Sequence, residues 1–289
     1  MSDNNINLKL KRLELQKFTT FSELSLDFSS GINVIIGENS SGKTHLMKLL
    51  FSVLKGIQPS EIDLELANQQ ELELLKKIVA TFKPDTLGRL ANRGGAGRSK
   101  AQVVLTANKE GKEVTICDFS FSTNSKKLDV ASLAEGSDGF STLFIPPVEM
   151  LTLSEGFIAA YKNRETAYDY TYYALAEALD AQPARGPKEA MAKALVAPIL
   201  EALDIHVFKQ DGKFYIKFKG SRAGNVEASL AAEGLKKMGQ LLYLINNGSL
   251  SSNSILFWDE PEAHLNPKYI EITVELLKVL ASHGVQVFV

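Results

Sequence analysis

Hydrophobic and polar residues alternate at the start of this chain. Leu8, Leu10, Leu13 and Leu15 predict one strand and Leu24, Leu26 and Phe28 a second, with Lys17-Phe18-Thr19-Thr20-Phe21 as the turn between them. The run Ile32-Asn33-Val34-Ile35-Ile36 is β-branched and mostly apolar, which predicts a buried strand. Leu46, Leu49, Leu50, Val53 and Leu54 then return at helical spacing. Residues 61–82 predict another helix, with Leu72, Leu75, Ile78, Val79 and Phe82 on one face. A loop over 83–100 follows. Val103 to Leu105 and Val114 to Phe121 predict a hairpin that turns at Lys109-Glu110-Gly111-Lys112. Leu143-Phe144-Ile145 reads as a core strand stopped by Pro146-Pro147.

The second half is patterned differently. Residues 151–204 read as largely helical and rich in tyrosine and alanine, punctuated by Gln182-Pro183-Ala184-Arg185-Gly186-Pro187. A second hairpin is expected at 205–218, turning at Asp211-Gly212. Residues 232–246 predict an amphipathic helix, and Ile255 to Trp258 a short apolar strand inside a parallel sheet. A last helix begins after Asn266-Pro267, a cap and first-turn pair, and carries Ile270, Val274, Leu277 and Leu280 inward. The chain ends in a strand, Val285 to Val289.

Chemistry enters at two places in this pattern. Between the strand at 32–36 and the helix after it lies Gly37-Glu38-Asn39-Ser40-Ser41-Gly42-Lys43-Thr44, a full match to G-x-x-x-x-G-K-[ST]. Gly37 and Gly42 leave room for backbone that a side chain would obstruct. The N–H groups of Glu38, Asn39, Ser40 and Ser41 can form an anion nest, reinforced by the N-terminus of the helix. Lys43 is expected to reach the β- and γ-phosphates of a nucleoside triphosphate, and Thr44 to offer its hydroxyl to Mg²⁺. The second place is the tip of the strand at 255–258, where Asp259 and Glu260 follow Trp258. Asp259 is the candidate Mg²⁺ ligand and Glu260 the candidate base for water. Adjacent acids on a strand point to opposite sides, so both face one site only if the chain turns there. An acidic turn before a helix is the alternative reading. Together the two motifs point to ATP, and to Lys43 and Glu260 as the residues that split it.

Composition narrows the class. With 289 residues and 45% hydrophobic positions the chain can bury a large core, in one large domain or in one domain with an inserted lobe. A net charge of −2 gives no global basic signature for nucleic acid. The single cysteine, Cys117, excludes an internal disulfide and fits a reducing, cytoplasmic setting. The N-terminus lacks the form of a signal peptide, and no apolar run approaches the roughly 20 residues of a membrane span.

The string LELQKFTTFSELSLDFSSGINVIIGENSSGKTHLMKLL resembles the N-terminal half of RecF-like, SMC-like and OLD-like ABC-type ATPase heads, and LFWDEPEAHLNP resembles their Walker B and D-loop segment. The FIPP-x-E segment from Phe144 to Glu149 and the segment from Ala232 to Lys237 resemble stretches of the "AAA family" ATP-binding proteins of that group. The resemblance implies an α/β P-loop NTPase fold: an ABC-ATPase-like sandwich with a mixed sheet, a β-rich arm and a helical lobe inserted at about 150–205. It further implies a homodimer, or a higher homo-oligomer, with ATP sandwiched between subunits. In such a dimer Gly234, in the signature-like Leu230 to Lys237, would meet the partner's γ-phosphate.

Departures from the family pattern bear on turnover. Ala232 stands where the signature serine is usual, and no glutamine occupies the Q-loop position after Ile145. Glu149 there either substitutes as a water-mediated metal contact or pairs with a basic side chain. His45, His264 and His283 do not match the switch histidine of related ATPases, so the chain reads as cut short before that segment, with hydrolysis slow or absent.

Weaker features carry double readings. Phe18 and Phe21 either stack on adenine or fill the core. Arg89, Arg93, Arg98 and Lys100 either contact nucleic-acid phosphates or form a solvated loop. The series Tyr161, Tyr168, Tyr170, Tyr172 and Tyr173 forms either a partner surface or lobe packing. The expected function is therefore an ATPase that drives a partner or a nucleic-acid machine, in DNA repair or defence against phage and plasmids, with a separate effector protein. The alternative is a nucleotide-gated scaffold with little turnover. A transporter role is disfavoured without LSGGQ, and a GTPase without N-K-x-D.

Overall fold

The structure, a computed structural model, describes residues 8–58, 67–94, 99–134, 140–182, 205–218, 220 and 224–289. Arg98, the punctuated stretch from Pro183 to Pro187 and the helix expected up to 204 lie outside the described residues. The chain divides into two compact units, Met1–Thr142 with Phe288, and Leu143–Val287 with Val289.

The first unit is built on a five-stranded sheet of order β2-β1-β4-β5-β6, with β1 Leu8–Phe18, β2 Phe21–Asp27, β4 Lys100–Lys109, β5 Lys112–Ser122 and β6 Asp129–Leu133, each pair antiparallel. The leucines of β1 change phase between Leu10 and Leu13, which strict alternation would send to opposite faces. A β-bulge between Leu10 and Arg12 absorbs the extra residue, so Leu8, Leu10, Leu13 and Leu15 are all buried. Leu13 then faces Leu26 on one side and Leu105 on the other. The β4–β5 hairpin turns at Glu110 and Gly111, both at positive φ, as a two-residue turn that matches strand twist.

Two helices complete this unit: α1 Lys43–Ile57 and α2 Ala67–Phe82. Leu49, Leu50, Phe51 and Leu54 of α1 have no exposed surface. Each such side chain contributes roughly 1.5–3 kcal/mol on burial. The inward face of α2 is rotated from the expected one. Leu74, Ile78 and Thr81 are buried, whereas Leu72 is 48% and Val79 37% exposed. The apolar residues are spread too widely around α2 for periodicity to choose among them. The strand expected at 32–36 is also shorter. β3 is Ile32–Asn33, after which Val34 and Ile36 are exposed. The Asn33 side chain accepts from Ser29 N–H and donates to the Ser29 carbonyl, a local clasp that closes the turn leading into β3. Within the expected 83–100 loop, Leu87–Leu90 forms a buried 3₁₀ turn.

β7, Ser141–Ile145, leads into the second unit, where it lies beside β11 Ser254–Trp258 and then β12 Gln286–Phe288. Every residue of β11 is buried, as a strand covered on both faces must be. A three-stranded sheet, β10 Asn225–Glu227, β9 Lys213–Phe218 and β8 Ile205–Gln210, contains the expected hairpin at Asp211-Gly212. Helices α3 Phe157–Lys162 and α4 Tyr170–Asp180 pack through the tyrosines. Tyr161 stacks on Tyr173 at 4.5 Å and Tyr168 lies 4.5 Å from Tyr172, so these tyrosines pack on one another.

α5, Glu233–Asn246, is buried from Gly234 to Ile245 rather than on one stripe. Its lysines and glutamine are enclosed along with its leucines. α6, Pro267–Ser282, is capped by Asn266, whose side chain accepts from Tyr269 N–H. Its inward face is Thr273, Leu276, Leu277 and Leu280, while Ile270 and Val274 are 39% and 44% exposed. Thr273 is accommodated inside because its hydroxyl donates to the Tyr269 carbonyl at 2.7 Å.

Candidate functional site

The phosphate-cradle motif lies in the first unit and the strand-tip acids in the second, and each is described within its own unit. Residues 37–42 form an irregular loop between β3 and α1. Gly37, Glu38, Asn39, Ser40 and Ser41 are exposed. Ser40 and Gly42 adopt positive φ, 65° and 102°, which turns the chain sharply into α1. Gly42 is the helix N-cap and makes no side-chain cap, and the first turn of α1 carries no acid. The amide dipoles there therefore meet no competing carboxylate. Lys43 Nζ donates to the carbonyls of Gly37 (2.6 Å) and Glu38 (2.9 Å), so the ammonium sits over the loop it follows.

Gly42 is also packed from below. A Cβ there would stand 2.4 Å from Thr20 Oγ1 and 2.7 Å from Phe21 Cζ. Thr20 in turn donates to the Ser41 carbonyl at 3.3 Å. The turn between β1 and β2 thus supports the cradle, which the sequence pattern did not reveal. Phe18 is wholly buried, edge-on to Phe82 at 5.7 Å and to Phe121 at 6.4 Å, so it belongs to the core and cannot stack on a base. Phe21 is only partly buried and lies against Gly42. His45, next to Thr44, turns away toward Phe82, 5.7 Å between rings, and burial lowers its pKa.

In the second unit, β11 delivers Asp259, 3% exposed, and then Glu260, which is exposed. Asp259 N–H donates to the Ile145 carbonyl at 2.9 Å, tying the tip of β11 to the end of β7. Glu260 has φ 50°, so the chain does turn at the strand tip. Its carbonyl accepts from Ala263 N–H and from Lys237 Nζ, both at 3.1 Å. Among the described residues no group of three His, Cys, Asp or Glu is placed to hold a metal. A magnesium ion bound with a nucleotide rests instead on one or two side chains and on phosphate oxygens. The exposed loop, the acid-free helix start, the Thr44 hydroxyl and the Asp259 carboxylate are the donor types such a complex takes.

The signature-like segment packs on the turn that follows Glu260. Gly234 is buried, and a Cβ on it would stand 3.1 Å from Leu265 and 3.3 Å from Tyr269. Ala232 is the N-cap of α5 and offers no side-chain hydrogen bond. Glu149 resolves to its ion-pair reading. Its carboxylate lies 3.6 Å from Lys236 Nζ with both side chains buried, and it accepts from Thr152 N–H at 3.2 Å. Lys236 also meets Glu233 at 2.7 Å; burial alone would lower its pKa, but these two acids raise it. Gln240 accepts from Met150 N–H at 2.7 Å, so a glutamine does reach the position after β7, from α5 rather than from the chain itself. Tyr172 has its pKa pushed up to about 12 by burial, with Asp169, Tyr168 and Asp259 adding to the rise. Lys236, Lys237 and Gln240 were not foreseen as site residues. Their one signal was the density of polar side chains at the start of α5.

Residues 12–146 match the AAA domain family, and residues 156–289 match a second AAA domain family whose description also names AbiEii toxin and Type IV TA system. The DNA replication and repair protein RecF of Streptococcus suis is 38% identical over 66 residues, 22% of this chain and 18% of that protein. RecF of Ligilactobacillus salivarius is 27% identical over 107 residues, 37% of this chain and 25% of that protein. These matches span a quarter or less of the relatives' length. Among solved structures, the Smc head domain of Pyrococcus furiosus bound to the C-terminal domain of ScpA superposes with TM-score 0.52 at 13% identity, covering 98% of this chain and 89% of that one. The recombination mediator protein RecF with ATP gives 0.51 at 14% identity, covering 98% and 93%. The likeness is one of fold, the P-loop ABC-ATPase fold. The chain is therefore similar in fold to the ABC-type ATPase heads of RecF and Smc, and each half of it matches an AAA domain model.

Proposed function

We propose that this chain binds ATP with Mg²⁺ and couples nucleotide state to a conformational change in a partner or nucleic-acid machine. The observation that carries the reading is the exposed loop ending at Gly42, φ 102°, on an acid-free helix start. Gly37, Glu38, Asn39, Ser40, Ser41 and Gly42 cradle the phosphates through backbone N–H groups. Lys43 leaves the two loop carbonyls for the β- and γ-phosphates, Thr44 and Asp259 hold Mg²⁺, and Glu260 orients the attacking water. Gly234 contributes to the partner's nucleotide in a homodimer closed by ATP. The names of the RecF relatives favour DNA repair, and the description of the second AAA family favours defence, with a separate effector protein. The ScpA-bound Smc head supports a partner docked on the head. Among the described residues no helix is long and apolar enough to cross a membrane, and we place the protein in the cytoplasm.

A second reading is a nucleotide-gated scaffold that hydrolyses little. It is favoured by Ala232, which leaves the start of α5 without a hydroxyl. Two experiments test these readings. Lys43→Ala is expected to abolish ATP binding, and normal affinity would contradict the cradle. Light scattering on Glu260→Gln with and without Mg-ATP is expected to show a doubling of mass. A mass that ignores bound ATP would refute the nucleotide-closed dimer.

A further inference from the structure

Glu260 is not glycine, yet its backbone lies in the left-handed region at φ 50°. That conformation is strained for such a residue and persists only where the surroundings enforce it. Two groups grip the Glu260 carbonyl. One, Ala263 N–H, belongs to the same turn; the other, Lys237 Nζ, comes from α5, 23 residues earlier in the chain. Lys237 is 3% exposed. Among the described residues its ammonium makes one hydrogen bond, the one to Glu260. The charged groups facing it are Glu260, Glu262, Glu233 and Asp259.

A buried ammonium is a costly way to fill space. Desolvating it opposes folding unless its surroundings compensate. A methionine would occupy the same volume without that cost. The neighbouring Lys236 has a structural reason for its charge, the pairs with Glu149 and Glu233. Among the described residues Lys237 makes no such pair, and the group it bonds is the carbonyl of the residue read as the base. In an extended strand, Asp259 and Glu260 would project to opposite faces. The left-handed turn removes that constraint.

We infer that Lys237 is a positioning residue: its bond to the Glu260 carbonyl holds the left-handed turn that sets the direction of the Glu260 carboxylate. The inference rests on Glu260 acting as the base. Hydrogen exchange on the full chain, with Lys237→Met and Lys237→Arg, tests the holding directly. Lys237→Met is expected to speed exchange at the Ala263 and Leu265 amides about tenfold, with β11 and the rest of α5 unchanged, and Lys237→Arg to stay within about threefold of the parent. Unchanged exchange in Lys237→Met, or loosening spread equally along α5, overturns the proposal.

Turnover supplies the second readout. Lys237→Met is expected to lower kcat about 10- to 100-fold with nucleotide affinity within about twofold, and Lys237→Arg to recover most of it. In the Glu260→Gln background, Lys237→Met is expected to add no further loss. A second, additive loss would show that Lys237 acts elsewhere and overturn the inference. Should Glu260→Gln alone keep full turnover, the base assignment fails, while exchange still decides whether Lys237 holds the turn.

Discussion

Gly42→Ala puts a single methyl group where the cradle is tightest. The new Cβ would lie 2.4 Å from Thr20 Oγ1 and 2.7 Å from Phe21 Cζ, well inside contact distance. The backbone at φ 102° adds a second penalty, because an L-residue there is strained by about 1–2 kcal/mol. Overpacking of this kind costs roughly 1–3 kcal/mol. The sum is about 2–5 kcal/mol, a large share of the 5–15 kcal/mol typical of a domain. If the fold absorbs it, the unfolding free energy falls by that amount. If the loop shifts instead, Thr20 and Phe21 stay put and the cost appears in nucleotide affinity, about 30-fold for 2 kcal/mol. Urea unfolding and titration with a fluorescent ATP analogue measure the two shares. Gly56→Ala is the control: its Cβ would meet the Leu74 backbone at 2.8 Å, which strains the α1–α2 contact without touching the cradle. Adding Thr20→Ala to Gly42→Ala removes the shortest contact and is expected to recover part of the loss. If Gly42→Ala matches the parent in both stability and affinity, the packing of this loop on the β1–β2 turn is wrong.

Further outcomes follow from the described contacts. Glu149→Gln leaves the buried Lys236 charge with Glu233 alone, and is expected to lower unfolding stability by about 2 kcal/mol; an unchanged denaturant midpoint would place that pair in solvent. Cys117 is fully buried, and burial, its largest influence, drives its thiol pKa upward, so the reactive thiolate is withheld. A disulfide reagent is expected to label it only as the chain unfolds, and rapid labelling of native protein would contradict the β5 packing. Asn266→Ala removes the cap that accepts from Tyr269 N–H and is expected to cost about 1 kcal/mol by thermal unfolding, with no change in nucleotide affinity.

The parts of this protein legible in its sequence are those whose chemistry is contiguous. Gly37 to Thr44 could be read as a loop between strand and helix because strand, loop and helix start are neighbours in the chain, and the β4–β5 and β8–β9 hairpins because their turn residues sit between their strands. The Asn266 cap and the apolar run Ile255 to Trp258 of β11 were legible for the same reason. Periodicity found α2 and α6 but placed only part of each inward face: Ile78, Leu277 and Leu280 are buried as expected, whereas Leu72, Val79, Ile270 and Val274 are exposed. A helix with apolar residues on more than one side is oriented by what it packs against, not by its own pattern. Burial of Lys236, Lys237 and Gln240 was invisible for a related reason. Polar side chains are read as solvated until distant partners, here Glu149, the Glu260 carbonyl and Met150 N–H, are brought to them. The left-handed turn at Glu260 is the sharpest case. Nothing local requires φ 50° of a glutamate; the bond from a lysine 23 residues away in sequence supports it. Local propensity set which elements exist, and tertiary packing set which of their side chains meet.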